Sequence, residues 1–274
     1  MKNNSRIKNK FDYLRKKNLS ALVAFFTSGD PDLKTSEKII RGLPQAGADI
    51  IEIGMPFSDP MADGPVIQRS YRRSLKNGNH ISQTFSIIKN FRKKDDTTPI
   101  VLMGYYNPIY QNGLKNFFND AHTVGVDGIL IVDLPPEEDD EINKYCRGKK
   151  KIEIIKLATP TTDKDRIKSI SNAASGFIYY VSITGITGSK INNIFNIEKT
   201  YRKLKKRIKL PSVIGFGIDT PKKAESIAKY ADGIVIGSAL IKELEKAKNN
   251  RNAVNNVLNL VEKYSKAIKK ARIN

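Results

Sequence analysis

The sequence predicts an α/β protein, a (β/α)8 TIM barrel with extra helices at its N- and C-terminal ends, folded as one domain over residues 1–274. Three observations point there. Short β-branched apolar runs recur at 22–26, 49–53, 100–103, 128–132, 152–157, 177–181, 212–215 and 234–236. The runs are continuous rather than alternating, as a parallel sheet covered on both faces requires. Each run leads through a loop into a helix-period segment, at 34–46, 81–93, 111–123, 137–147, 163–173, 193–207, 220–230 and 239–247. Further helices are expected at 5–17, where one can close the barrel bottom, and at 253–271. No Gly/Ser linker or shift of composition divides the chain. The structural alternative is an open doubly wound sheet.

Composition bounds the class. Apolar residues make up 39% and charged residues 28% of the 274, as in a folded globular chain. No apolar run is long enough to span a bilayer, and the opening MKNNSRIKNKFDYLRKK has no apolar core of a secretory signal. The single cysteine, Cys146, excludes an internal disulfide, and two histidines leave little for a His-rich metal site. A cytoplasmic location is expected, or the stroma of a plastid if the chain is organelle-encoded. The formal charge of +20 raises nucleic acid as a partner. However, the basic runs at 2–17, 92–94, 147–151, 202–209 and 263–272 are scattered, lack interleaved aromatics, and read as solvated surface. Neither a nucleic acid nor a membrane is expected as partner.

In such barrels chemistry lies at the carboxyl ends of the strands and in the loops that follow. Within IIEIG (50–54), Ile51 and Ile53 share one face and Ile50, Glu52 and Gly54 the other, so Glu52 points into the barrel. A buried carboxyl has a raised pKa and exchanges protons near neutrality. Its plainer reading is a structural glutamate bonded to a neighbouring strand. Asp63 lies in the proline-rich loop that follows, near Asp59; read alone, Asp63-Gly64-Pro65 is a turn before a helix starting near Val66. The strands near 180, 214 and 235 run into SITGITGSK, GFGIDTP and IGSAL. Glycines there let backbone N–H groups approach an anion, and Gly237-Ser238 opens a helix, so the loops suit phosphate. A bare GSA is also ordinary helix–strand packing. There is no G-x-S-x-G elbow, P-loop or C-x-x-C pair. Lys156 is the one lysine in a strand that spacing leaves open as a Schiff-base former. What remains is a cofactor-free acid–base reaction on a phosphorylated substrate.

With those residues in view, the chain resembles the tryptophan synthase alpha subunit family. FFTSGDPD (25–32), GADIIEIGMPFSDPMADGPVIQ (47–68), LMGYYNPI (102–109), GVDGILIVDLPPEE (125–138), YYVSITGITG (179–188), GFGI (215–218) and GSAL (237–240) are similar to that family's signatures, in its order. The resemblance implies retro-aldol cleavage of indole-3-glycerol phosphate to indole and glyceraldehyde 3-phosphate, a carbon–carbon lyase reaction without metal or organic cofactor. It implies Glu52 as general acid/base and Asp63 as acceptor of the indole N–H. Phe25, Ile67, Met103, Leu130, Tyr179 and Phe216 would line the indole pocket, or simply be barrel core. Gly188, Gly217, Gly237 and Ser238 would bind phosphate, and Thr187 would lie on a loop that closes over substrate. The implied partner is the pyridoxal-phosphate beta subunit in an alpha2beta2 heterotetramer, met through Pro56, Asp59, Asp133 and Pro135. Ile183 stands where some members carry an arginine, and the basic charge is atypical. The competing expectations are another phosphate-binding barrel, an isomerase or epimerase, and a non-catalytic barrel that activates the beta subunit or binds RNA.

Overall fold

A computed structural model describes residues 5–146, 148, 151–182, 194–215 and 217–272. Eight parallel strands close into a barrel in sequence order: β1 (Ala21–Thr27), β2 (Ile50–Gly54), β3 (Ile100–Gly104), β4 (Gly128–Ile131), β5 (Glu153–Ala158), β6 (Ile178–Val181), β7 (Ser212–Gly215) and β8 (Gly233–Ile236). β1 pairs with both β2 and β8, which leaves no sheet edge and excludes the open-sheet alternative. Every residue of β1 to β4 is buried, which is why those runs are continuously apolar.

The helices are α1 (Arg6–Lys16), α2 (Leu33–Gly42), α3 (Pro65–Lys76), α4 (Ile81–Arg92), α5 (Tyr106–Gln111), α6 (Leu114–Val124), α7 (Asp140–Cys146), α8 (Lys164–Ala173), α9 (Ile194–Lys205), α10 (Pro221–Ala228), α11 (Ser238–Glu245) and α12 (Asn250–Lys270). Local chemistry sets several starts. Asp32, Asp163, Thr220 and Asn249 each accept an N–H from the first turn of the helix they precede, supplying an acceptor that the helix itself lacks. Proline occupies the first position of α3 and α10, where its missing N–H costs nothing. None of the described helices is long and apolar enough to cross a membrane.

α1 lies against the amino ends of the strands, with Ile7, Phe11 and Leu14 buried and the Phe11 ring 5.7 Å from that of Phe177. It closes the barrel bottom, as its apolar stripe predicts. Aspartates at the same end stitch neighbouring strands: Asp49 accepts Leu22 N–H at 3.0 Å, Asp127 accepts Ile100 N–H at 2.8 Å and Asp232 accepts Ser212 N–H at 2.8 Å.

Several expected elements are corrected. The helix expected at 111–123 is α6, which starts only at Leu114, and a further short helix, α5, precedes it across Asn112 and Gly113. The segment 137–147 is a 3-10 turn, Pro136–Glu138, followed by the shorter α7. Both helices read between β2 and β3, one starting near Val66 and one at 81–93, are present as α3 and α4. Lys156 does not project into the barrel. It is buried on the helical side of β5, where its ammonium bonds the Asp139 carboxylate and, at 3.1 Å, the Leu134 carbonyl. A lysine so paired is withdrawn from Schiff-base chemistry.

Candidate active site

Glu52 sits in β2 in register with Phe25 of β1 and Val101 of β3. It faces the barrel interior. A side chain on Gly54, two residues along the same face, would stand 2.6 Å from the Phe25 ring and 3.0 Å from Tyr71 Oη, so only glycine leaves room for that ring. Glu52 is 1% exposed, and neither carboxylate oxygen has a hydrogen-bond partner among the described residues. Burial, reinforced by the negative charge of Asp63, pushes its pKa up to about 8.

Asp63 closes the loop between β2 and α3. It is not a helix cap, because α3 starts at Pro65 with Gly64 in the cap position and no side-chain cap. Its carboxylate instead turns inward and accepts the Tyr105 hydroxyl at 2.7 Å. Tyr105, at the end of β3, in turn accepts Ala62 N–H at 3.0 Å and packs on Phe57 with ring centroids 5.1 Å apart. Burial raises the Asp63 pKa to about 6, against the pull of the Tyr105 hydrogen bond. The sequence showed no sign of Tyr105, since its partner lies 42 residues away in the chain.

Beside Asp63 a cavity of about 290 Å³ opens at the carboxyl ends of the strands. Its wall includes Phe25, Ile67, Met103 and Tyr179 on the apolar side and Gly217, Gly237, Ser238 and Lys242 on the other. Of the expected pocket residues, Leu130 is absent from this wall: it is 1% exposed in β4, in register with Met103. Glu52 is not on the wall either. It is sealed beneath the cavity's neighbours, close enough for its charge to raise the Tyr71 and Tyr179 pKa values. Phe216, Thr187 and Gly188, and the departure at Ile183, lie outside the described residues.

Gly217 adopts φ +73°, a left-handed conformation that glycine takes without strain, in the turn after β7. Gly237 precedes Ser238, the first residue of α11, and no side chain caps this helix. In that first turn the Leu240 N–H bonds the Gly237 carbonyl at 2.9 Å, while the N–H groups of Ser238 and Ala239 precede the first such bond and lie at the positive end of the helix dipole. Away from the cavity, Asp59 is exposed and bonded to the Ser58 hydroxyl, while Pro56 is buried. Asp133 accepts Tyr106 N–H at 2.8 Å, and Pro135 is exposed.

Two carboxyl groups with pKa values set apart, one poised to give and take a proton and one held as an anion, are equipped for acid–base chemistry. The cavity that Asp63 lines also takes in apolar side chains and the backbone of Gly217, Gly237 and Ser238. The class is an acid–base enzyme of the (β/α)8 barrels. Comparison with known proteins makes it specific. The model of the family described as tryptophan synthase alpha chain matches residues 11–269, and the chain belongs to that family. The crystal structure of tryptophan synthase subunit alpha from Legionella pneumophila str. Paris is similar at 36% identity, with 97% of this chain and 99% of that one covered and a TM-score of 0.91. A structure from Aquifex aeolicus VF5 matches at 36% identity, 97% and 100% coverage and a TM-score of 0.88. A chain of tryptophan synthase from M. tuberculosis, in its aminoacrylate-bound form, matches at 27% identity, 97% and 100% coverage and a TM-score of 0.86. The activity is that of the family: a lyase that cleaves indole-3-glycerol phosphate in tryptophan biosynthesis. Members normally pair with a beta subunit.

Proposed function

We propose that Glu52 carries both proton transfers of the cleavage and that Asp63 holds the indole ring. The buried carboxylic acid of Glu52 gives its proton to indole C3, which places positive charge on the ring nitrogen. Asp63 accepts the indole N–H and stabilises that charge as it forms. The Glu52 carboxylate then takes the proton of the hydroxyl on the carbon attached to C3. The carbon–carbon bond breaks, its electron pair returns to the ring, and the former alcohol carbon leaves as the aldehyde of glyceraldehyde 3-phosphate. Glu52 ends protonated, as it began.

The observation that carries this reading is the state of Glu52: buried in the barrel interior, with both oxygens unbonded and a pKa of about 8. A structural glutamate is bonded to its neighbours, because an unpaired buried acid is costly. Phe25, Ile67, Met103 and Tyr179 bound the space for the indole, and Gly217, Gly237 and Ser238 offer the phosphate their backbone. Because Glu52 is sealed from the cavity here, substrate entry has to bring the two into contact.

The beta subunit is the proposed recipient of indole, in an alpha2beta2 assembly docked through the loops that carry Pro56, Asp59, Asp133 and Pro135. Purified protein incubated with indole-3-glycerol phosphate, with and without a beta subunit, tests the reading through aldehyde release. Slow release alone and a large increase with partner are expected. Glu52→Gln should abolish turnover and keep substrate binding; near-normal turnover in that variant would remove Glu52 from its role.

A further inference from the structure

The cavity wall contains one cation among its described residues, Lys242, and the cleavage as proposed makes no use of it. Lys242 lies four residues beyond Ser238 in α11, so the two share a helix face, and both reach the wall together with Gly217 and Gly237. Among the described residues its ammonium has no carboxylate partner, although α11 itself supplies two glutamates. Glu245 is taken by Arg69 at 2.9 Å and Arg73 at 2.7 Å, and Glu243 by Lys246 at 3.0 Å. Those pairs tie α11 to α3 and to itself, and they leave Lys242 as unspent positive charge at the cavity.

The acid on this wall is Asp63; Glu52 lies off the wall and is protonated up to about pH 8. A phosphate dianion entering this space meets repulsion from Asp63. The backbone N–H groups at the start of α11 offer only about half an elementary charge. A lysine, with a compact charge on a flexible four-carbon stem, is suited to follow a phosphate group at such a mouth.

We propose that Lys242 is a further substrate-binding residue, its ammonium pairing with the phosphate group held at Gly217, Gly237 and Ser238. The proposal rests on the reading of those three residues as the phosphate site. The phosphate keeps its charge throughout the reaction, so Lys242 binds ground state and transition state alike and acts on KM, not on kcat. Because Lys242 is exposed, its contribution is screened by salt.

The test is Lys242→Gln in the full chain with its beta subunit, by steady-state kinetics at low and high ionic strength and by calorimetric titration with inorganic phosphate. KM is expected to rise about tenfold at low salt and clearly less at high salt, with kcat within about twofold. Phosphate affinity should fall in parallel, and Lys242→Arg should recover most of both losses. Unchanged KM and phosphate affinity would overturn the role of Lys242, as would a loss confined to kcat. Indole-3-glycerol without its phosphate separates the two readings. If the unaltered protein does not discriminate against it, the phosphate site itself is wrong. If it does, and Lys242→Gln discriminates equally, only the lysine's role falls.

Discussion

Tyr105 donates its hydroxyl to Asp63 at 2.7 Å, while Glu52, in the same buried region, receives no hydrogen bond from any described residue. The difference separates two acids that burial alone would push in the same direction. Burial raises both, the Asp63 charge adds to the rise of Glu52 to about 8, and the Tyr105 donor, favouring the charged form, holds Asp63 back to about 6.

Tyr105→Phe removes that donor and keeps the ring that packs on Phe57. The Asp63 pKa should rise above 6, so the acidic limb of kcat/KM moves to higher pH. A hydrogen bond to a charged group contributes roughly 1.5–3 kcal/mol, so a displacement of about one to two units is expected. Activity should fall more at pH 6 than at pH 8. An unmoved limb would show that Tyr105 does not control Asp63.

Glu52→Gln should change the pH dependence of stability as well as turnover. Folded Glu52 keeps its proton up to about pH 8, whereas the unfolded chain releases it near 4.5. Between those values the folded state binds the extra proton, so the group's contribution is fully present below 4.5 and is lost as pH rises toward 8. Asp63, Tyr71 and Tyr179 face the same space and remain in the variant. Between pH 5 and pH 8 the variant should gain on the unaltered protein by an amount on the order of 4 kcal/mol. Denaturant titrations at both pH values measure it; parallel curves would contradict the buried, protonated state.

Gly54→Ala places a methyl group 2.6 Å from the Phe25 ring and 3.0 Å from Tyr71 Oη. Both side chains are packed, so Phe25 has to yield toward the cavity that it lines. A stability loss of about 1–3 kcal/mol and a raised KM are expected. Thermal melts and kinetics on the same preparation check both.

Lys156 is bonded to Asp139 and Leu134 on the helical side of β5. Borohydride added during turnover should therefore neither inactivate the protein nor attach substrate to it. Lys156→Met should destabilise by about 3–5 kcal/mol, because it leaves the Asp139 carboxylate buried without its counter-ion. Mass spectrometry after borohydride treatment and a denaturant melt decide the two parts.

The barrel was legible because its signal is local and repeated. A covered parallel strand has to be apolar throughout, and the segment after it has to show helical period, so eight such units announce themselves one by one. Glu52 was legible for the same reason: period-two alternation decides which way a strand residue points. The short α5 ahead of α6 was less visible, because a periodic apolar stripe does not record where a chain turns at Asn112 and Gly113.

Side-chain partnership belongs to the tertiary structure. Asp63 before Gly-Pro is a plausible cap in sequence, and only the fold brings Tyr105 to its carboxylate from 42 residues away. Lys156 and Lys242 are both lysines in regular elements, indistinguishable by pattern. One is neutralised by Asp139; the other has no carboxylate partner among the described residues, Glu243 and Glu245 each binding other cations. The sequence by itself determined the architecture and the acids that it carries, because periodicity is written along the chain. The tertiary structure decided which charges stay free to act, because hydrogen bonds and ion pairs form between residues that only folding makes neighbours.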